Sequence, residues 1–247
     1  MPLAFETDEN ATARAALGVI VLETDETIET EFRSVFNRDG IALYHTRIPN
    51  SNDVTLATLQ AMAEEMPRSA SLLPKARALD VVAYACTSGA TAIGPDKVGE
   101  LIATHHPKAK STNPISAVIA ACRHLGLRRI GLLTPYMPAV SQKMQDLLSE
   151  SGFETTAFGS FEQEDDRVVA RISPQSILDG ACEVGAGSDV DGVFAACTNL
   201  RCFSVIDEVE RRLGKPMVTS NQALAWHMLT LAGLPTAGMG PGRLFAI

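Results

Sequence analysis

The sequence predicts an α/β protein of two similar lobes, each a mostly parallel sheet flanked by helices and related to the other by a pseudo-twofold. Three observations carry that expectation. Short β-branched or apolar runs alternate with longer helix-like segments along the whole chain, which is the pattern of βαβ units. The nine residues from Asp80, reading DVVAYACTS, return from Asp191 as DGVFAACTN, with five of the nine positions identical. The repeat also holds its spacing: Gly18 corresponds to Gly131, Cys86 to Cys197, and Ser111-Thr112-Asn113 to Thr219-Ser220-Asn221, at offsets of 113, 111 and 108 residues. Three landmarks in one order at nearly one spacing imply a duplicated unit.

In chain order, the runs at 18–22, 41–47, 81–85, 130–133, 155–158, 192–196 and 216–219 read as strands, because each is short and apolar or β-branched. The longer segments at 55–66, 98–105, 116–125, 140–151, 174–184 and 202–213 read as helices. Asn113-Pro114 and Ser220-Asn221 are helix-start signals, so crossovers between the lobes are expected there. The first Rossmann-like lobe is then residues 1–115 plus 221–247, the second is 116–220, and the final helix, from Gln222, packs back on the first. In open α/β folds ligands collect beyond the carboxyl ends of the strands, so the site is expected between the lobes.

Composition narrows the ligand. A formal net charge of −8, with no dense Lys/Arg cluster, argues against nucleic acid or an anionic membrane as partner. No apolar stretch approaches the ~20 residues of a membrane helix, and the acidic first ten residues do not resemble a secretory signal, so a cytoplasmic protein is expected. Aromatic residues make up only 5% of the chain, which leaves little for stacking on bases or sugars. A small polar ligand fits better, with self-association left open. The five cysteines lack metal-binding spacing, the five histidines share no predicted helix face, and no GxGxxG fingerprint is present. Neither a metal nor a cofactor is expected.

Cys86 and Cys197 each follow a predicted strand and open a predicted helix. Unsatisfied N–H groups and the positive end of a helix dipole would lower a cysteine pKa there. Two thiols on opposite faces of one carboxylate substrate allow one thiolate to remove a carbon-bound proton while the other thiol delivers a proton to the far face. The same pair could instead add to an activated double bond, allow rotation and eliminate. Thr87, Ser88 and Thr198 would donate to the substrate carboxylate and to the charge developing on it. Cys122, Cys182 and Cys202 lie inside helix-like patterns and read as core.

Residues 18–29 (GVIVLETDETIE), Cys86-Thr-Ser-Gly89, Thr134-Pro-Tyr136, residues 165–172 (DDRVVARI), Cys197-Thr-Asn-Leu-Arg201 and Ser220-Asn-Gln-Ala223 resemble the aspartate/glutamate racemase superfamily, which includes maleate isomerases, arylmalonate decarboxylases and hydantoin racemases. The resemblance spans essentially the whole chain and is nearest to the maleate isomerase branch and the racemase-like proteins of ectoine-utilisation operons. It implies a two-lobed fold, an interlobe site, the two cysteines as acid/base or nucleophile, and Tyr136 as a donor to substrate carboxylate.

Departures from the family pattern matter as well. Asn199 stands where amino-acid racemases carry histidine, and it joins the expected substrate-binding set. Arylmalonate decarboxylases keep only the second cysteine. Asp25, and the segment reading Asp165-Asp166, stand where maleate isomerases usually carry an asparagine. An ionised Asp about 4 Å from a substrate carboxylate costs several kcal/mol at an effective dielectric near 20, so Asp25 and Asp166 are expected to recognise an ammonium group, as on an ectoine-derived diaminobutyrate. The alternative is that they cap helix starts and face away from the ligand. Arg201 either neutralises a second carboxylate or is solvated. The expected function is a cofactor-independent isomerase or racemase. Maleate cis-trans isomerisation, arylmalonate-type decarboxylation and ligand binding without turnover are the alternatives.

Overall fold

Strands that are apolar on every residue must be covered on both faces, and this requirement organises the chain. The structure, a computed structural model, describes residues 1–8 and 14–246. Its first half runs β1 (Ala15–Leu22), α1 (Ile28–Phe36), β2 (Ile41–Ile48), α2 (Leu56–Ser71), β3 (Val81–Ala85), α3 (Thr87–Ile93), α4 (Pro95–Ala103), β4 (Lys110–Thr112) and α5 (Pro114–His124). Its second half runs β5 (Arg129–Tyr136), α6 (Pro138–Glu150), β6 (Glu154–Gln163), α7 (Asp166–Val169), α8 (Pro174–Gly185), β7 (Gly192–Ala195), α9 (Ile206–Leu213), β8 (Met217–Thr219) and α10 (Ser220–Leu231).

Two parallel four-stranded sheets result, ordered β2-β1-β3-β4 and β6-β5-β7-β8. The second order is the first repeated four strands later, so the duplication read from the sequence is present in the topology. Every residue of β1, β3, β7 and β8 is buried, as expected for parallel strands covered by helices on both faces. In the second sheet α8 lies so close to β5 that a Cβ on Gly131 would run into the Val184 carbonyl. Among the described residues no helix is long and apolar enough to cross a membrane.

Both helix-start signals are used. Asn113 caps α5, its side chain accepting from Ser116 N at 3.0 Å. Thr219 and Gln222 form a reciprocal capping box at α10, with Thr219 Oγ1 accepting from Gln222 N at 3.2 Å and the Gln222 side chain accepting from Thr219 N at 3.3 Å. Helix α10 then packs on α5, β3 and α1, and the residues from Ser220 to Trp226 are all buried.

Several elements depart from expectation, among them the short helix α7, which no predicted segment covered, and β6, which runs on to Gln163. The short edge strand β4, Lys-Ser-Thr, has no apolar run to announce it and exists through its pairing with β3. Helix α9 starts at Ile206 rather than 202, because the amide of Phe203 is drawn away to Glu31 Oε1 on α1, at 2.9 Å.

Candidate active site

The turns that follow β3 and β7 are joined by side chains. Cys86 is the N-cap of α3, and its Sγ accepts from Gly89 N at 3.2 Å with Ser88 Oγ at 3.7 Å. Cys197 follows β7 at φ +134°, a region that costs a non-glycine residue on the order of 1–3 kcal/mol. Asn199 N donates to its Sγ at 3.3 Å. It opens a turn and not a helix, contrary to the expectation above.

Ser220, the first residue of α10, holds both turns. Its Oγ accepts from Thr87 Oγ1 at 2.8 Å and from Cys197 N at 3.0 Å. Thr198 Oγ1 reaches back to the Ala85 carbonyl at 3.4 Å. The two cysteine turns are therefore cross-braced, which fixes where the thiols stand.

Both thiols line one cavity with Ser88, Thr198, Tyr136, Asp53 and Asp166. Leu22, Val54, Leu59 and Met62 form an apolar wall. The loops after the edge strands β2 and β6 meet above it, with Val54 N donating to Glu164 O at 2.9 Å and Asp166 N to Asn52 O at 3.1 Å. Tyr136 is buried with its hydroxyl bonded to Cys197 and Ser88 and near Cys86.

The remaining expected site residues lie behind this surface. Thr87 donates to Ser220 as described and does not line the cavity. Asn199 works as a clasp: its Oδ1 accepts from Glu26 N at 3.0 Å, and its Nδ2 donates to Asp166 Oδ2 and to the Asp166 carbonyl, each at 3.1 Å. Asp25 Oδ1 accepts from Thr27 N at 2.8 Å and Ile28 N at 2.9 Å at the start of α1. That is the helix-capping alternative, and Asp25 too is outside the cavity lining. The capping residue of α7 is Asp165, which leaves Asp166 free to face the cavity. Thr24 Oγ1 donates to Asp166 Oδ2 at 2.5 Å.

Burial controls the electrostatics. It pushes the Cys86 thiol up to about 11 despite the Gly89 N–H, and it raises Cys197 well above the ordinary thiol value, with the Asp166 charge adding to the rise. The lowered thiol pKa expected from strand-end position is thus overturned. A single helix terminus does not offset desolvation when the nearby ionisable groups are carboxylates. Asp166 and Asp25 are themselves raised by burial. No cationic side chain lines the cavity. Arg201, exposed, donates instead to the Ile172 carbonyl at 3.0 Å. Among the described residues no cluster of three or more His, Cys, Asp or Glu side chains could hold a metal.

Sequence reasoning did not find Thr24, Tyr84 or Ser220 as site residues. Each lay in a segment with a signal, Thr24 in residues 18–29, Tyr84 in the repeat from Asp80 and Ser220 in the repeated Thr219-Ser220-Asn221 landmark, but nothing in the sequence singled the residue itself out.

A family model described as arylmalonate decarboxylase matches residues 40–245. The chain belongs to the arylmalonate decarboxylase family. Within it, the chain is 28% identical to the maleate isomerase of Pseudomonas putida over 93% of this chain and 96% of that protein. It is 35% identical to the arylmalonate decarboxylase of Bordetella bronchiseptica over 54% of this chain and 57% of that one. The fold is similar to that of a Nocardia farcinica maleate cis-trans isomerase, a cysteine-to-serine mutant with a covalently bound succinylcysteine intermediate. The TM-score is 0.85 at 25% identity, covering 94% of this chain and 98% of that one.

Proposed function

We propose that the chain is a cofactor-independent isomerase in which Cys86 and Cys197 act on opposite faces of a small carboxylate that also carries an ammonium group, an amino acid of the diaminobutyrate type. The observation that supports this reading most is the lining of one cavity: two thiols, the aspartates Asp53 and Asp166, and no cation among the described residues. The lobes, taken as 1–115 with 221–247 and 116–220, meet at that cavity.

The substrate ammonium pairs with Asp166, worth about 4 kcal/mol at 4 Å and an effective dielectric of 20. Its carboxylate takes the hydroxyls of Ser88 and Tyr136, and that of Thr198 once it releases the Ala85 carbonyl, as donors for the enediolate charge that develops as the α-proton leaves. One thiolate takes that proton and the opposite thiol returns one to the other face, so the centre is inverted and no proton is lost overall. Pairing Asp166 with a cation also offsets the negative charge that holds the Cys197 pKa up. Substrate binding therefore eases thiolate formation at the moment it is needed.

A second reading, cis-trans isomerisation by thiolate addition, bond rotation and elimination, is supported by the extent of similarity to maleate isomerases. Both readings are tested in D2O. Loss of the α-proton NMR signal from small amino acids, 2,4-diaminobutyrate and its N-acetyl forms is followed beside conversion of maleate to fumarate. The expected result is exchange into an amino acid, absent in Cys86→Ala and Cys197→Ala. Turnover of maleate faster than every amino acid tried would overturn the first reading in favour of the second.

A further inference from the structure

Beside Cys86, outside the cavity lining, lies a phenol that the proposed mechanism does not use. Tyr84 is two residues earlier on β3 and so shares its face of the strand with Cys86. Its side chain is fully buried, and its hydroxyl donates to the Met62 thioether sulfur at 3.4 Å while the Cys86 sulfur lies within its hydrogen-bonding reach. The same hydroxyl and the Cys86 sulfur converge on Gly89: a Cβ there would press on Tyr84 Oη and stand 3.0 Å from both Cys86 Sγ and Met62 Cε. A glycine at the first turn of α3 is thus what lets the phenol, the thioether and the thiol meet.

A thioether is a weak acceptor, and a buried hydroxyl rarely settles for one when a better acceptor is within reach. A neutral thiol is no better, but a thiolate is, because hydrogen bonds to an ionised acceptor are roughly twice as strong. We propose that Tyr84 is a positioning residue whose hydroxyl leaves the Met62 sulfur and donates to Cys86 Sγ when that thiol ionises, completing with Gly89 N and Ser88 Oγ a three-donor cradle for the thiolate. Tyr84 does not line the cavity, so it acts only through Cys86. The duplicated segment carries Ala195 at the matching position. Cys197 therefore lacks this device, and its phenol, Tyr136, faces the ligand instead.

The inference rests on Cys86 acting as a thiolate, but its test needs no substrate. Alkylation by iodoacetamide between pH 7 and 10 is followed in the full-length protein by peptide mass spectrometry, reading Cys86 against Cys197 in the same molecule so that any general opening of the cavity cancels. Tyr84→Phe removes the donor, and the Cys86:Cys197 rate ratio is expected to fall about tenfold, the change for one unit of pKa. Met62→Leu removes the resting acceptor and leaves the thiolate bond, so the ratio is expected to rise. An unchanged ratio in either folded variant overturns the proposal. Failure to isomerise any substrate, with both ratios shifted as stated, counts against the proposed activity and leaves the Tyr84 assignment standing.

Discussion

Asp166 is held from behind by Thr24 and Asn199 and shares the cavity lining with the two sulfurs, with no cation there among the described residues, so its charge adds to the rise that burial gives the thiols and, on the proposed reading, selects the substrate. Asp166→Asn keeps an acceptor at the same place and removes the charge. The expected outcome is a 10- to 100-fold rise in KM for an ammonium-bearing substrate, improved handling of maleate, and a lower Cys197 pKa read from its own alkylation profile. The pH dependence has a definite sign. Burial raises both thiols, Cys86 to about 11 and Cys197 well above its ordinary value, so at lower pH the thiolate fraction of Cys86 grows about tenfold per pH unit while the second thiol stays protonated. If Cys86 supplies the base, kcat/KM should therefore climb with alkaline pH with no acidic optimum, and a bell centred near neutrality would contradict it. Cys86 and Cys197 were legible from the sequence because a duplicated strand ends on each. The separation of Asp166 from Asp25 was not, since both follow strands and both stand beside a helix start.

At the scale of elements, the packing of α8 on β5 and the seating of α10 make contrasting demands. Gly131→Ala forces a Cβ into the Val184 carbonyl, and backbone cannot yield as a flexible side chain can. A loss of about 2–3 kcal/mol in urea unfolding is expected, with kcat per folded molecule unchanged. Ser220→Ala removes the one hydroxyl that braces both cysteine turns. It should cost only about 1–2 kcal/mol of stability but lower kcat at least tenfold, because Cys197 is left in a strained conformation with its amide unpaired. The strands β1, β3, β5 and β7 could be read from the chain because their apolar runs are covered on both faces. Strand β4 could not, since its existence depends on a neighbour, and the start of α9 depends on a carboxylate from α1.

Across the whole molecule, Glu31 joins parts far apart in the chain. Its carboxylate accepts from Phe203 N at 2.9 Å and from Asn221 Nδ2 at 2.7 Å, tying α1 to the loop beyond Cys197 and to α10. Burial raises its pKa from 4.5 to about 7. A carboxyl group raised in the folded state binds a proton there that the unfolded chain has already released. Its contribution is therefore fully present below pH 4.5 and is lost as pH rises through about 7, by up to about 3 kcal/mol. Glu31→Gln removes the charge but keeps only one of the two acceptor oxygens, its amide nitrogen meeting a donor, so its stability should be lower than that of the parent at acid pH but flatter across pH 4.5–7, as read from thermal unfolding at each pH. A steeper loss in the variant would remove Glu31 as the cause. The sequence by itself determined the doubled α/β architecture and the two cysteines at matched strand ends, because apolar runs and a repeat are properties of neighbouring residues. Only the tertiary structure decided that Asp166 faces the cavity while Asp25, Thr87 and Asn199 brace it from behind, that Ser220 holds both turns, and that burial raises the thiols where a strand end alone would lower them. Those outcomes turn on desolvation and on hydrogen bonds between residues as distant as Thr24 and Asp166, and neither exists until the chain has folded.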